Sequence, residues 1–188
     1  MSVNGLLMTY HDTLFPVQDY SVTMTMDAGG RTLENKTIKL GKKMRMEIAQ
    51  SDLQIVSIVD PEADDGKGVA YALRPTMKTY TKLPIPPGAF ASALAKAEDI
   101  KDSVKIEVRG KEDVDGVPCD KRSVTITDND KPFTITQWTS PQNKNMPVKM
   151  TIDDMVIRYK DYDFTKPSAD LFTVPADYKA NDMGGRAR

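Results

Sequence analysis

Alternation with a period of two runs through almost the whole chain, and it restricts the possible folds more than any other feature. Successive side chains of an extended strand point to opposite faces, so apolar residues at every second position mark half-buried strands. Tyr20, Val22, Met24 and Met26 fall on one face, with Ser21, Thr23 and Thr25 on the other. Ala28-Gly29-Gly30 follows, and its two glycines tolerate the positive φ of a tight return into residues 31–40. After a turn at Gly41, Met44, Met46 and Ile48 alternate with Lys43, Arg45 and Glu47, which read as the solvent face of a strand. Residues 53–60 are more continuously apolar, as in a strand covered on both faces.

Turn chemistry and proline set the remaining boundaries. Val69, Tyr71 and Leu73 form a short strand ending before Pro75, and residues 78–83 another ending at Pro84, Pro86 and Pro87, where the ladder N–H is missing. Further strands are predicted around Ile106, Val124, Ile126, Phe133, Ile135, Met150, Ile152 and Ile157. They are separated at Asp115-Gly116, Asp128-Asn129-Asp130 and Asp153-Asp154, residues that accept turn dihedrals. Residues 89–100 differ: they are alanine-rich and set Phe90, Ala93, Leu94 and Ala97 on one helical stripe, predicting a helix that lids an opening in the sheet. Leu6, Tyr10 and Leu14 are spaced for a second, amino-terminal helix that Pro16 ends.

About ten to eleven strands with short connections favour antiparallel neighbours over parallel crossovers, and no βαβ rhythm is present. Accumulated twist curls a sheet of this width. The expected fold is therefore mainly β, a single antiparallel sheet curled into a half-barrel, with one or two short helices covering the concave side. With 188 residues, one domain is expected over 1–188, with 1–17 a short lid segment and 181–188 a disordered tail.

Composition excludes several functions. Twenty-six basic and 27 acidic residues leave a net charge of -1, without the basic stripe that nucleic acid demands. No apolar run is long enough for a transmembrane helix. His11 and Cys119 are the single histidine and the single cysteine, too few for a zinc site, and neither stands in a nucleophile–base arrangement. The acidic loop at residues 60–66 fails as a calcium loop, because Asp65 holds the position that requires glycine and Tyr71 the one that requires glutamate. No catalytic residue, metal ligand or cofactor site is expected.

Eleven methionines remain to be explained. Unbranched and polarizable, they adapt to a flexible apolar guest as readily as they fill a core. The candidate wall of an apolar concavity comprises Val22, Met24, Met26, Met44, Met46, Ile48 and Met150, with Phe90 and Leu94 in the lid. Which face is concave stays open on sequence grounds.

Several stretches together resemble the lipoprotein-sorting superfamily of periplasmic lipoprotein carriers, and within it an uncharacterised domain family. They are residues 41–47, Tyr71-Ala72-Leu73-Arg74-Pro75 with Lys78-Thr79-Tyr80, and Gly116-Val117-Pro118-Cys119-Asp120-Lys121. Closing the chain are residues 159–164, Pro167-Ser168, Leu171-Phe172 and Val174-Pro175-Ala176-Asp177-Tyr178, which resemble the family's final docking turn. The resemblance covers roughly residues 18 to 180. It implies a half-barrel with helices over an apolar concavity, an extracytoplasmic location and no catalytic residue. Residues 1–5 lack a basic region and an apolar run, so the protein is either cytoplasmic or exported by a signal not included in these residues. The leading expectation is a non-catalytic binding protein for a lipid, an acyl chain or an acylated protein. Its rival is an envelope sensor or assembly protein that meets another envelope protein and has a self-filled interior.

Overall fold

The computed structural model describes residues 14–50, 53–65, 67–84, 104–128 and 131–181. They hold twelve strands: β1 (Tyr20–Ala28), β2 (Arg31–Leu40), β3 (Lys43–Gln50), β4 (Leu53–Asp60), β5 (Val69–Arg74), β6 (Thr79–Pro84), β7 (Val104–Val114), β8 (Val117–Asp128), β9 (Lys131–Ser140), β10 (Met146–Ile152), β11 (Met155–Asp163) and β12 (Lys179–Ala180). All belong to one sheet, in the order β12-β6-β5-β4-β3-β2-β1-β11-β10-β9-β8-β7. Two antiparallel meanders, β1 to β6 and β7 to β11, are sewn together at the centre by antiparallel pairing of β1 with β11. The edges, β7 and β12, do not pair, so the sheet stays open rather than closing into a barrel.

Two of the expected hairpins are explained by their turns, while the turn expected at Asp128-Asn129-Asp130 lies partly outside the described residues. Gly29 (φ 57°) and Gly30 (φ 76°) make the left-handed two-residue turn that pairs Ala28 with Arg31 and fixes the register of β1 and β2. Asp115 (φ 52°) and Gly116 (φ 80°) do the same between β7 and β8. The strand beyond the expected count is β12, two residues that pair in parallel with β6 through Lys179 N–H to the Lys78 carbonyl at 2.9 Å and Asn181 N–H to the Tyr80 carbonyl at 2.7 Å. Two residues carry no alternation, so this strand had no sequence signal.

Helical structure is slighter than expected among the described residues: three 3₁₀ turns, Pro75–Met77, Pro141–Asn143 and Ala169–Phe172, and no complete α-helix. The expected lid helix over 89–100, with Phe90 and Leu94, lies outside the described residues, as do His11, most of the 1–17 segment and residues 182–188.

Both faces of the sheet carry apolar cover, and the covers come from opposite ends of the chain. On the face that holds Tyr20 and Val22, Leu14 and Phe15 pack with Val124, Ile126, Ile135, Met150, Ile152, Ile157 and Tyr159, filling the half built by β8 to β11. Gln137 anchors this segment from the sheet, its Nε2 donating to the Leu14 carbonyl at 3.0 Å while its Oε1 accepts from Arg122 Nε at 2.6 Å. On the opposite face Ile38, Val56, Ile58 and Leu73 are covered by Phe172, with Val174 and Tyr178 beside it. This accounts for the doubly buried β4, since Val56 and Ile58 face the carboxy-terminal segment while Val59 is buried on the other side. It also corrects the reading of Arg45 as a solvent-facing residue. Arg45 donates from Nη1 to the Leu171 carbonyl at 2.8 Å and pairs with Glu47 at 2.6 Å, so this strand face is covered by a segment far away in sequence.

Candidate functional site

The face covered by Leu14 and Phe15 is filled only in part. Over β1 to β3 it opens into a groove of about 250 Å³ lined by Phe15, Tyr20, Val22, Met24, Met26, Leu33, Glu34, Asn35, Thr37, Met44, Met46, Ile48 and Tyr159. Register explains why these side chains meet. Met24 lies opposite Asn35, which lies opposite Ile48; Val22 lies opposite Thr37, which lies opposite Met46. Side chains opposed across an antiparallel ladder share a face, so β1 and β3 form two apolar banks with β2 as the floor.

Six of the seven wall residues expected from alternation, Val22, Met24, Met26, Met44, Met46 and Ile48, line this groove. Met150 does not. It is fully buried in the closed half of the same face, where its sulfur accepts from the Tyr159 hydroxyl at 3.3 Å. Parity put Met150 on the right face, but Leu14 and Phe15 cover that part of it. Phe15 also bounds the groove, with its ring edge-on to Tyr159 at 5.5 Å and stacked on Tyr20 at 6.3 Å. Burial pushes the Tyr159 phenol well above its ordinary range, so this wall is neutral at physiological pH.

The floor is polar, a feature that alternation in β1 and β3 did not disclose. Leu33, Asn35, Thr37 and Lys39 share one face of β2. Thr37 Oγ1 donates to Asn35 Oδ1 at 3.4 Å, and Lys39, buried at the end of the row, donates to Gln18 Oε1 at 3.2 Å. Glu34 borders the groove, but it lies opposite Thr25, and its carboxylate pairs at 3.0 Å with Lys160, opposite Thr23, on the other face of the sheet. The signal that would have found this row was the Gly29-Gly30 turn: pairing Ala28 with Arg31 places Asn35 opposite Met24 by counting. β2 carries polar residues on both of its faces, and periodicity alone therefore could not choose between them.

Among the described residues no three histidine, cysteine, aspartate or glutamate side chains cluster to hold a metal ion, and no helix is long and apolar enough to cross a membrane. The groove offers apolar walls and hydrogen-bonding groups along its floor.

The fold is similar to that of solved structures. An uncharacterized conserved protein from Thermus thermophilus aligns with a TM-score of 0.57 at 10% identity, covering 95% of this chain and 96% of that one. Lipoprotein LppX of Mycobacterium tuberculosis aligns at 0.49 and 12% identity, over 87% of this chain and 96% of its own. LprF of Mycobacterium bovis aligns at 0.47 and 13% identity, over 89% and 97%. A search of curated proteins returns no match. Residues 20–146, more than half of the chain and all of the groove strands, match the family described as Domain of unknown function (DUF4412), and the chain belongs to that family.

Proposed function

We propose that the protein is a non-catalytic, extracytoplasmic binding protein that holds a single acyl chain, from a lipid or an acylated protein, in the groove over β1 to β3. The observation that carries this reading is a groove of about 250 Å³ flanked by four methionines on two banks, on a face whose other half is closed core. Its volume lies just below the ~300–1,000 Å³ of pockets for drug-sized ligands, which suits one chain better than a many-chained lipid. Each buried methylene contributes ~0.8 kcal/mol without needing directional contacts, and methionine side chains adjust to where the chain lies. Native mass spectrometry after gentle purification tests the reading: a copurified acyl species is expected, and a bare protein that also takes up no acyl probe would refute it. Fractionation of cells expressing the full-length gene tests the location. Recovery of unprocessed protein in the cytosol would count against it.

A second reading is favoured by the closed half of the same face. There the chain's own Leu14 and Phe15 cover the sheet, as expected of a self-filled sensor or assembly protein that meets another envelope protein. Uptake of an acyl probe separates the two, because a self-filled interior has no room for one.

A further inference from the structure

The polar floor narrows the guest, if the groove is a chain-binding site as proposed above. Asn35 is half-buried between Met24 and Ile48, and its Oδ1 is turned toward the Thr37 hydroxyl. The Nδ2 of the same amide has no protein acceptor among the described residues, although it lines a groove whose banks are thioether and aliphatic. A donor in such surroundings needs an acceptor, and a plain hydrocarbon lying over it would strip its water and return nothing. No lysine or arginine lines the groove, and the Glu34–Lys160 pair lies on the other face of the sheet. A carboxylate head would therefore be desolvated without a counter-charge.

We infer that the guest is an acyl chain joined through a neutral carbonyl, as an ester or an amide, and that Asn35 Nδ2 donates to that carbonyl oxygen. Met24, Met46 and Ile48 then take the methylenes on either side, and the Thr37 hydroxyl holds the amide in the required orientation. Asn35 is in this sense the residue that tells an acyl derivative from a bare hydrocarbon.

The test is displacement of a fluorescent apolar reporter by methyl laurate, N-methyl-lauramide, laurate and an alkane of matched length. The ester or the amide should bind about tenfold more tightly than the alkane, the size of one neutral hydrogen bond. A gain confined to the ester identifies a glycerolipid-type source, and one confined to the amide an N-acylated polypeptide. Asn35→Leu should abolish the difference between these two and the alkane, because the alkane no longer desolvates an unpaired amide and the ester and amide no longer gain its hydrogen bond. Asn35→Asp, nearly the same shape without the donor, should do so too, with circular dichroism confirming that both variants fold. Equal binding of ester, amide and alkane by the unaltered protein, or laurate binding most tightly, would overturn the inference. So would an equal loss of all probes in Asn35→Leu. If the reporter and every chain fail to bind, including the alkane, the chain-binding reading falls and takes this one with it.

Discussion

Arg45 Nη1 donates to the main-chain carbonyl of Leu171 at 2.8 Å, fastening the third strand to a segment 126 residues further along the chain. The contact draws Phe172 onto Ile38, Val56, Ile58 and Leu73, on the face turned away from the groove. Phe172→Ala should therefore cost about 3–5 kcal/mol of stability, read as a lower urea midpoint. Probe binding at low denaturant should hold, because the lost ring never touches the groove. A variant as stable as the parent would show that the carboxy-terminal segment does not cover the core in solution.

Strand parity makes a sharper test of the groove. Met24→Glu or Met46→Glu places a carboxylate on an apolar bank, at a cost of several kcal/mol or a raised carboxyl pKa, and should abolish uptake of a fluorescent acyl probe. Thr23→Glu and Thr25→Glu point to the opposite face and should leave uptake nearly unchanged. Equal effects on the two faces would mean that no one-sided site exists, and global unfolding by the methionine changes would mean that the banks are closed core.

Gln137 joins the sheet to the amino-terminal segment, and it is fully buried. Gln137→Leu would leave the Leu14 carbonyl and Arg122 Nε without their partner. The expected loss is about 1–3 kcal/mol in equilibrium unfolding. Hydrogen exchange should also speed up around residues 14–17, which no longer have their anchor. Unchanged exchange there would show that packing of Leu14 and Phe15 alone holds the segment.

Alkaline pH should destabilise the fold through its buried phenols. Desolvation raises the Tyr159 and Tyr162 pKa values above the ordinary ~10. The folded protein therefore keeps protons that the unfolded chain has released once pH passes ~10, and stability falls as pH rises. Below that value both states are protonated and these groups add no pH dependence. Tyr159→Phe should make the alkaline decline shallower by up to ~1.4 kcal/mol per pH unit, as measured by urea titrations across the range. An identical slope in the variant would remove Tyr159 as a cause.

Cys119 is buried beside Val114, Trp138 and Val148, and its thiol donates to the Val117 carbonyl at 3.2 Å. Burial pushes its pKa up, with Asp113 and Asp120 adding in the same direction, so little thiolate is available to react. A thiol reagent at neutral pH should label the folded protein far more slowly than the unfolded one, and Cys119→Ser should bind acyl probes unchanged. Rapid labelling of the native state would contradict this.

Much of the molecule is written locally. Alternation located the strands from Tyr20 to Tyr159, glycine and aspartate turns located their hairpins, and parity alone grouped Met24 and Met26, and Met44, Met46 and Ile48, on shared faces. These are properties of neighbouring residues, since the side-chain direction of a strand repeats every two positions whatever lies above it. What lies above it was decided elsewhere in the chain. Met24 and Met150 have the same pattern and face the same way, yet one lines a groove and the other is closed core, because Leu14 and Phe15 settle over β8 to β11 and reach only the border of the groove over β1 to β3. Arg45 reads as a solvent residue until Leu171 arrives, and the seam between β1 and β11 pairs residues as far apart in sequence as Met26 and Ile157. Such contacts depend on which surfaces remain unburied after the meanders form. That is a property of the assembled sheet, and no short window of sequence carries it.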